Sequence, residues 1–322
     1  MENGKSFIRI NGIGHAFSRE LGCTCKRCGT IRYAMLRPPP RLAPFDGWDD
    51  PPWRAHTSAS ILMADGSNTL TAHILVDVGA GTVDSLVCSG IANLSLVNAL
   101  LLTHWHPDHA LALNQFCESL KRSAGESFQK IPIYCTLDTY DHLRDSGGQA
   151  YLLRKHLCFR EILPEKKFSV DSIPAIQVTP LPVAHGDIKG AVIYVAEIGS
   201  SKVIFGWDMD IPDKQLPSGK ETNLQIFERN KGLLKKAKIY FLPANTWRAD
   251  ETNGKKTGHT SYLSAHSKYL EIIKAKKTYL VHMSGHEDGV GNQGFGWTDS
   301  EWETAVAPHG VKVARQGMII QI

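Results

Sequence analysis

Four side chains able to bind a metal fall within six positions of one another, His104, His106, Asp108 and His109, in the run Thr103-His-Trp-His-Pro-Asp-His. Imidazole and carboxylate are the ligands that zinc and similar divalent ions take. The two alternating histidines project to one side, while Asp108 and His109 reach a neighbouring point. That spacing suits two adjacent ions rather than one. A second grouping, Cys23, Cys25 and Cys28, places three thiols within six residues. Three thiolates can wrap one zinc if a fourth ligand arrives from elsewhere, and a closed set of that kind is structural rather than catalytic. The remaining cysteines, Cys88, Cys117, Cys135 and Cys158, sit in apolar surroundings and read as packing residues.

These ligands need rigid carriers. An apolar run at 98–102 ends abruptly in the histidine-rich polar stretch, the pattern of a buried strand that delivers its ligands at a sheet edge. Upstream, 6–13 alternates as a strand would, and Gly12 and Gly14 mark a tight bend or a close approach. Strands at 58–64 and 72–78 form a hairpin through 65–68, and the second ends in Asp77-Val-Gly-Ala-Gly81. A helix is expected over 82–91, another after His109, a strand at 130–135 and helix over 137–154. An extended segment at 172–184 closes on His185-Gly-Asp187. A second hairpin, 191–198 with 202–207, runs into Asp208-Met-Asp210, whose two carboxylates differ by one strand period. Helix is expected at 223–237, strand at 238–242, and a helix to about 275 that Thr260 or Ser261 would cap. The strand at 277–281 terminates in His282-Met-Ser-Gly-His286. The tract 38–52, rich in Pro, Asp and Trp, reads as a surface insertion near 36–56, with Trp48 and Trp53 as candidate apolar walls.

A chain of 322 residues, 42% hydrophobic, can bury a core of single-domain size, so 1–322 is expected to be one domain. Its 36 basic and 32 acidic residues leave only +4, too mild to argue for nucleic-acid binding. Met1–Ser6 lacks the charged start and apolar core of a secretory signal, and no apolar run approaches a membrane span. A cytoplasmic protein without a membrane partner is expected. Oligomeric state stays open, a homodimer included.

The motif from His104 to His109, with His185, Asp208 and His282 following in order, resembles the metallo-β-lactamase superfamily over nearly the whole chain. Within it the Cys-x-Cys-x-x-Cys after the first strand resembles the phosphoribosyl 1,2-cyclic phosphate phosphodiesterases of the carbon–phosphorus lyase pathway. The resemblance implies an αββα sandwich, two mixed sheets face to face with helices outside. It implies one ion on His104, His106 and His185, a second on Asp108, His109 and His282, and a bridging aspartate. Asp208 is the choice for that bridge and Asp210 the rival. Asp77 would support the ligands without ligating, and His259 would protonate the leaving group. Asp108 belongs with His259 among the residues on which turnover depends. His286, with Cys23, Cys25 and Cys28, would close a structural zinc site; the relatives separate the two histidines by two residues and this chain by three.

The implied cofactors are two divalent ions, Zn or Mn with Fe as an option, and one structural Zn. The implied activity is hydrolysis of a small phosphorylated substrate, a cyclic phosphodiester of phosphoribosyl type. Two other readings stand beside it: a lactonase or other ester or amide hydrolase, and a cofactor-biosynthesis protein like the pyrroloquinoline quinone B protein, which carries a similar cysteine motif. His266, inside the helix that ends near 275, reads as a surface residue, and His15, His56, His73, His142, His156 and His309 fit no motif.

Overall fold

The computed structural model describes residues 4–14, 54–88, 97–145, 149–171, 173–248, 259–284 and 297–322. Cys23, Cys25, Cys28 and His286, the insertion up to residue 53, Trp48, Trp53 and His15 lie outside them.

The first half of the chain builds one seven-stranded sheet. Its members are β1 (Lys5–Gly12), β2 (Ser58–Ala64), β3 (Leu70–Val76), β4 (Val97–Leu101), β5 (Ile131–Cys135) and β6 (Leu157–Glu161), in that spatial order. The last strand of the chain, β14 (Ile319–Gln321), returns to pair with β1. Among the described residues five α-helices intervene: α1 (Thr82–Cys88), α2 (Pro107–Ala110), α3 (Leu113–Ala124), α4 (Leu137–Asp145) and α5 (Ala150–Lys155). The other sheet also has seven strands. It runs β7 (Phe168–Val170), β8 (Ile173–Pro182), β9 (Val192–Ile198), β10 (Ser201–Phe205), β11 (Ile239–Pro243), β12 (Lys277–Val281) and β13 (Lys312–Val313). Its helices are α6 (Asn223–Arg229), α7 (Lys231–Leu234), α8 (Tyr262–Ile273) and α9 (Asp299–Val306). This is the expected αββα arrangement. Among the described residues no helix is long and apolar enough to cross a membrane.

Both sheets mix parallel and antiparallel pairs. Along β3 and β4, Ile74, Val76, Ala99 and Leu101 pack between the sheets, while Leu75, Leu100 and Leu102 pack under α1 and α3. A strand covered on both faces has no polar alternation, so its sequence reads as a continuous apolar run. Tyr194 crosses the inter-sheet core and donates its hydroxyl to the Leu102 carbonyl at 2.8 Å. On the outer side of the second sheet Phe227 of α6 meets Tyr269 of α8, ring centroids 4.4 Å apart.

The elements differ from expectation where side chains compete with the backbone. The single helix expected over 223–237 breaks at Asn230, whose amide donates to the Ile226 carbonyl and to Glu165. The helix expected over 137–154 is two, α4 and α5, with 146–148 outside the described residues. Thr260 is no helix cap: its hydroxyl bonds the carbonyls of Met209 and Asp210, so it ties α8 to the end of β10.

Candidate metal centre

Within the second sheet β8, β10 and β12 run in one direction, since β10, β11 and β12 are parallel and β8 is two antiparallel steps from β10, and the stretch after β4 of the first sheet meets their ends. The polar stretches that follow them therefore open at one end of the sandwich. There His104, His106, His185 and Asp208 converge, and beside them Asp108, His109, Asp208 and His282; within each group the donor atoms lie within 4.8 Å of one another. All seven residues expected from the sequence are present, in the expected groupings.

One atom belongs to both groups. Asp208 Oδ2 lies 3.0 Å from His185 Nε2, 3.9 Å from His104 Nε2, 3.4 Å from His282 Nε2 and 3.7 Å from His109 Nε2. His282 Nε2 and His109 Nε2 are 3.2 and 3.5 Å from Asp108 Oδ2. Bonds of about 2.0–2.2 Å to a tetrahedral ion place neighbouring ligand atoms about 3.3–3.6 Å apart, and these separations, 3.0 to 3.9 Å, bracket that range.

The proton arrangement also fits. Thr103 donates its hydroxyl hydrogen to Asp77 Oδ2 at 2.7 Å, so at 3.1 Å from His104 Nδ1 its oxygen accepts. His104 thus carries its proton on Nδ1 and turns a lone pair on Nε2 inward, where that buried nitrogen has no hydrogen-bond partner. His109 is fixed the same way, by Nδ1 donating to Asp77 Oδ2 at 2.7 Å. Asp77 accepts from the Thr103 amide as well and has φ 57°, a left-handed backbone held by these bonds. It touches neither ligand group's centre but aims a member of each.

Burial pushes His104 and His282 below the ordinary imidazole range, and burial with the neighbouring His185 lowers His106 to about 4. Burial would raise Asp108 and Asp208, but the surrounding imidazoles hold both well below the usual carboxylate range. Neutral imidazole and ionised carboxylate are the states that bind metal. His109 differs: against burial, Asp108 and Asp77 hold it protonated, and a cation entering there must displace that proton.

Asp208 has a second role. Its other oxygen, Oδ1, lies 2.8 Å from His259 Nδ1. Because the carboxylate is ionised, Nδ1 carries the hydrogen. Burial lowers the His259 pKa, yet Asp208, helped by Asp108 and Asp210, makes the net shift upward. Asp210, the rival for the bridge, instead accepts from the Gly186 amide at 2.8 Å and joins neither group.

Several supports were not singled out in the sequence. Thr103 could have been, as the residue between strand and ligands. Asn223 could not: its buried amide bonds the backbone of Ala184 and Asp210, joining two ligand loops from a helix start. His142, which fits no motif, stacks on Trp105 with centroids 3.6 Å apart, and Trp105 stands edge-on to His106.

The family model of the Beta-lactamase superfamily domain matches residues 73–283. The chain is 21% identical over 348 residues, 98% of each protein, to Coenzyme PQQ synthesis protein B of Klebsiella pneumoniae. Among solved structures, a diphosphatase of the PhnP family aligns with TM-score 0.63 and 19% identity, over 99% of this chain and 97% of that one. Zn(2+)-bound PqqB from Methylobacterium extorquens aligns with TM-score 0.65 and 14% identity, over 98% and 100%.

Proposed function

Since the chain belongs to the metallo-β-lactamase superfamily, we propose that it is a dinuclear metal-dependent hydrolase that cleaves a phosphodiester, a cyclic one of phosphoribosyl type. The observation that carries this reading is the sharing of Asp208 Oδ2 by two complete ligand groups. His104, His106 and His185 would hold one ion and Asp108, His109 and His282 the other. When bound, such a pair, Zn or Mn with Fe as an option, supplies an activated water and neutralises charge on a phosphoryl oxygen.

The protein's own groups do the rest. Asp208 holds His259 Nδ1–H and favours the imidazolium, so Nε2 can deliver a proton to a departing alkoxide oxygen. Thr103 and Asp77 keep two ligands in the metal-binding tautomer. The name of the matched diphosphatase supports phosphoryl chemistry over attack on a carbonyl. The proposed partner is a small phosphorylated molecule in the cytoplasm, with neither nucleic acid nor membrane.

A second reading rests on the full-length likeness to Coenzyme PQQ synthesis protein B, and would make this chain a metal-binding biosynthetic protein. Metal-loaded protein assayed against ribose 1,2-cyclic phosphate, cyclic nucleotides, linear phosphodiesters and lactones separates the readings. Phosphodiester turnover is expected to exceed the others by at least about tenfold. Lactone turnover alone, or none in protein holding two ions, would exclude the first.

A third ion, a structural zinc on Cys23, Cys25, Cys28 and His286, is proposed from the sequence motif. Elemental analysis should find one tightly held zinc beyond an exchangeable pair, lost in Cys25→Ser together with thermal stability. A zinc indifferent to Cys25→Ser would rule the assignment out.

A further inference from the structure

His282 is the one histidine of the two ligand groups with a left-handed backbone, φ 58°. A β-carbon makes that conformation costly, and such residues persist where their surroundings over-determine them. The surroundings here are the two residues that follow. The Met283 amide donates to the Ile13 carbonyl at 3.1 Å, and the Ser284 amide to the Asn245 carbonyl at 3.2 Å. The Ser284 carbonyl then accepts from Arg54 Nη1 at 2.6 Å.

Arg54 is only 1% exposed, as is its partner Asp299 at the start of α9. Its Nε donates to Asp299 Oδ1 at 3.0 Å, and Nη2 reaches the same oxygen and the Trp297 carbonyl. One guanidinium therefore holds the chain at Ser284 and again at Trp297, the two described residues flanking 285–296. Close by, Gly14 pairs with both His56 and Met283, so the strand-end carrying His282 is gripped from the β1 side too. Burying an ion pair is a weak source of stability, because desolvation offsets most of the attraction. A planar donor fork that fixes two carbonyls and a carboxylate at once is instead a device for geometry.

We propose that the Arg54–Asp299 pair is a positioning clasp for the metal centre, holding the strained His282 where its Nε2 faces Asp108 and Asp208. The clasp acts through the Ser284 carbonyl and touches neither metal nor substrate. It rests on the dinuclear reading for its consequence, but its mechanical part does not.

Two variants test it. Arg54→Lys keeps the charge and loses the fork. The double change Arg54→Met with Asp299→Leu removes both charges without burying an unpaired one, and is expected to fold. In each, affinity for the ion at the group containing His282 should fall about 10- to 100-fold, the range typical of lost outer support, while the group containing His106 changes little. Titration with cobalt(II), followed by its visible spectrum, reads the two positions apart. In metal-free protein, amide hydrogen exchange at Met283 and Ser284 should speed up in both variants, with β9 and β10 unchanged. Wild-type cobalt affinity at both positions in a folded double variant would overturn the proposal. So would unaltered exchange at Met283 and Ser284, whatever the metal count. If the wild-type protein binds fewer than two ions while the exchange result holds, the dinuclear reading fails and the clasp stands.

Discussion

His259 and His282 sit beside the same aspartate and meet different oxygens of it, which fits them for the two different roles proposed above. His282 Nε2 faces Oδ2 at 3.4 Å, the atom common to both ligand groups, whereas His259 Nδ1 bonds Oδ1 at 2.8 Å. That difference makes His259 separable from metal binding. In His259→Ala, elemental analysis should still find both ions, and turnover of an alkyl phosphodiester should fall by roughly 10²–10⁴. With a p-nitrophenyl leaving group, which departs without a proton, the loss should shrink to less than about tenfold. Equal losses on the two substrates would remove the acid role. Asp208 does not offer such a separation, since it serves His259 and both groups at once.

At the scale of elements, the site depends on how closely two turns approach. Gly79 follows β3, and a β-carbon there would lie 1.9 Å from the Asp108 carbonyl oxygen and 2.4 Å from the His56 β-carbon. The bond from the Val78 amide to the His109 carbonyl, 2.7 Å, draws the two turns together. Gly79→Ala should therefore push α2 away from β3, lowering stability by about 1–3 kcal/mol, as overpacking does. It should also weaken binding of the ion proposed for Asp108 and His109 about tenfold or more. Gly66, where a β-carbon would meet nothing within 4 Å, provides the control: Gly66→Ala should leave chemical denaturation and metal titration alike unchanged. A Gly79→Ala protein that matched this control would show that the turns can part without cost.

For the whole molecule, pH acts on stability also through a buried histidine that belongs to neither ligand group. His73 on β3 is fully buried, bonds Ser60 through Nε2 at 2.8 Å, and is lowered by burial and by Arg9 to about 4. Its unfolded value is about 6.5, so as pH falls the unfolded chain takes up the proton first. Stability from keeping it neutral is complete above about pH 6.5 and is lost progressively down to about pH 4. The full loss is about 3 kcal/mol. Urea unfolding of metal-free protein at pH 7 and pH 4.5 should show wild type losing about 2–3 kcal/mol more than His73→Gln, which cannot titrate. Parallel losses in the two proteins would mean that His73 is protonated in the fold.

The sequence alone determined the strands that carry the candidate ligands and which side chains stand at their ends. Apolar runs ending in His104, His185, Asp208 and His282 are local patterns, set by burial on both faces and by the chemistry of imidazole and carboxylate. It favoured Asp208 over Asp210 but kept Asp210 as a rival, because one strand period separates them and parity is the same for both. Only the tertiary structure decided between them, by turning Asp210 onto the Gly186 amide. It also decided what holds the ligands. Thr103, Asn223 and Arg54 act on residues 1, 39 and 230 positions away, among others. Their meaning depends on which backbone groups arrive beside them, and nothing in the local sequence encodes that arrival. The break at Asn230 and the bonds of Thr260, one of the two residues offered as a cap beside Ser261, were not legible for the same reason: each side chain bonds a group brought to it by the fold.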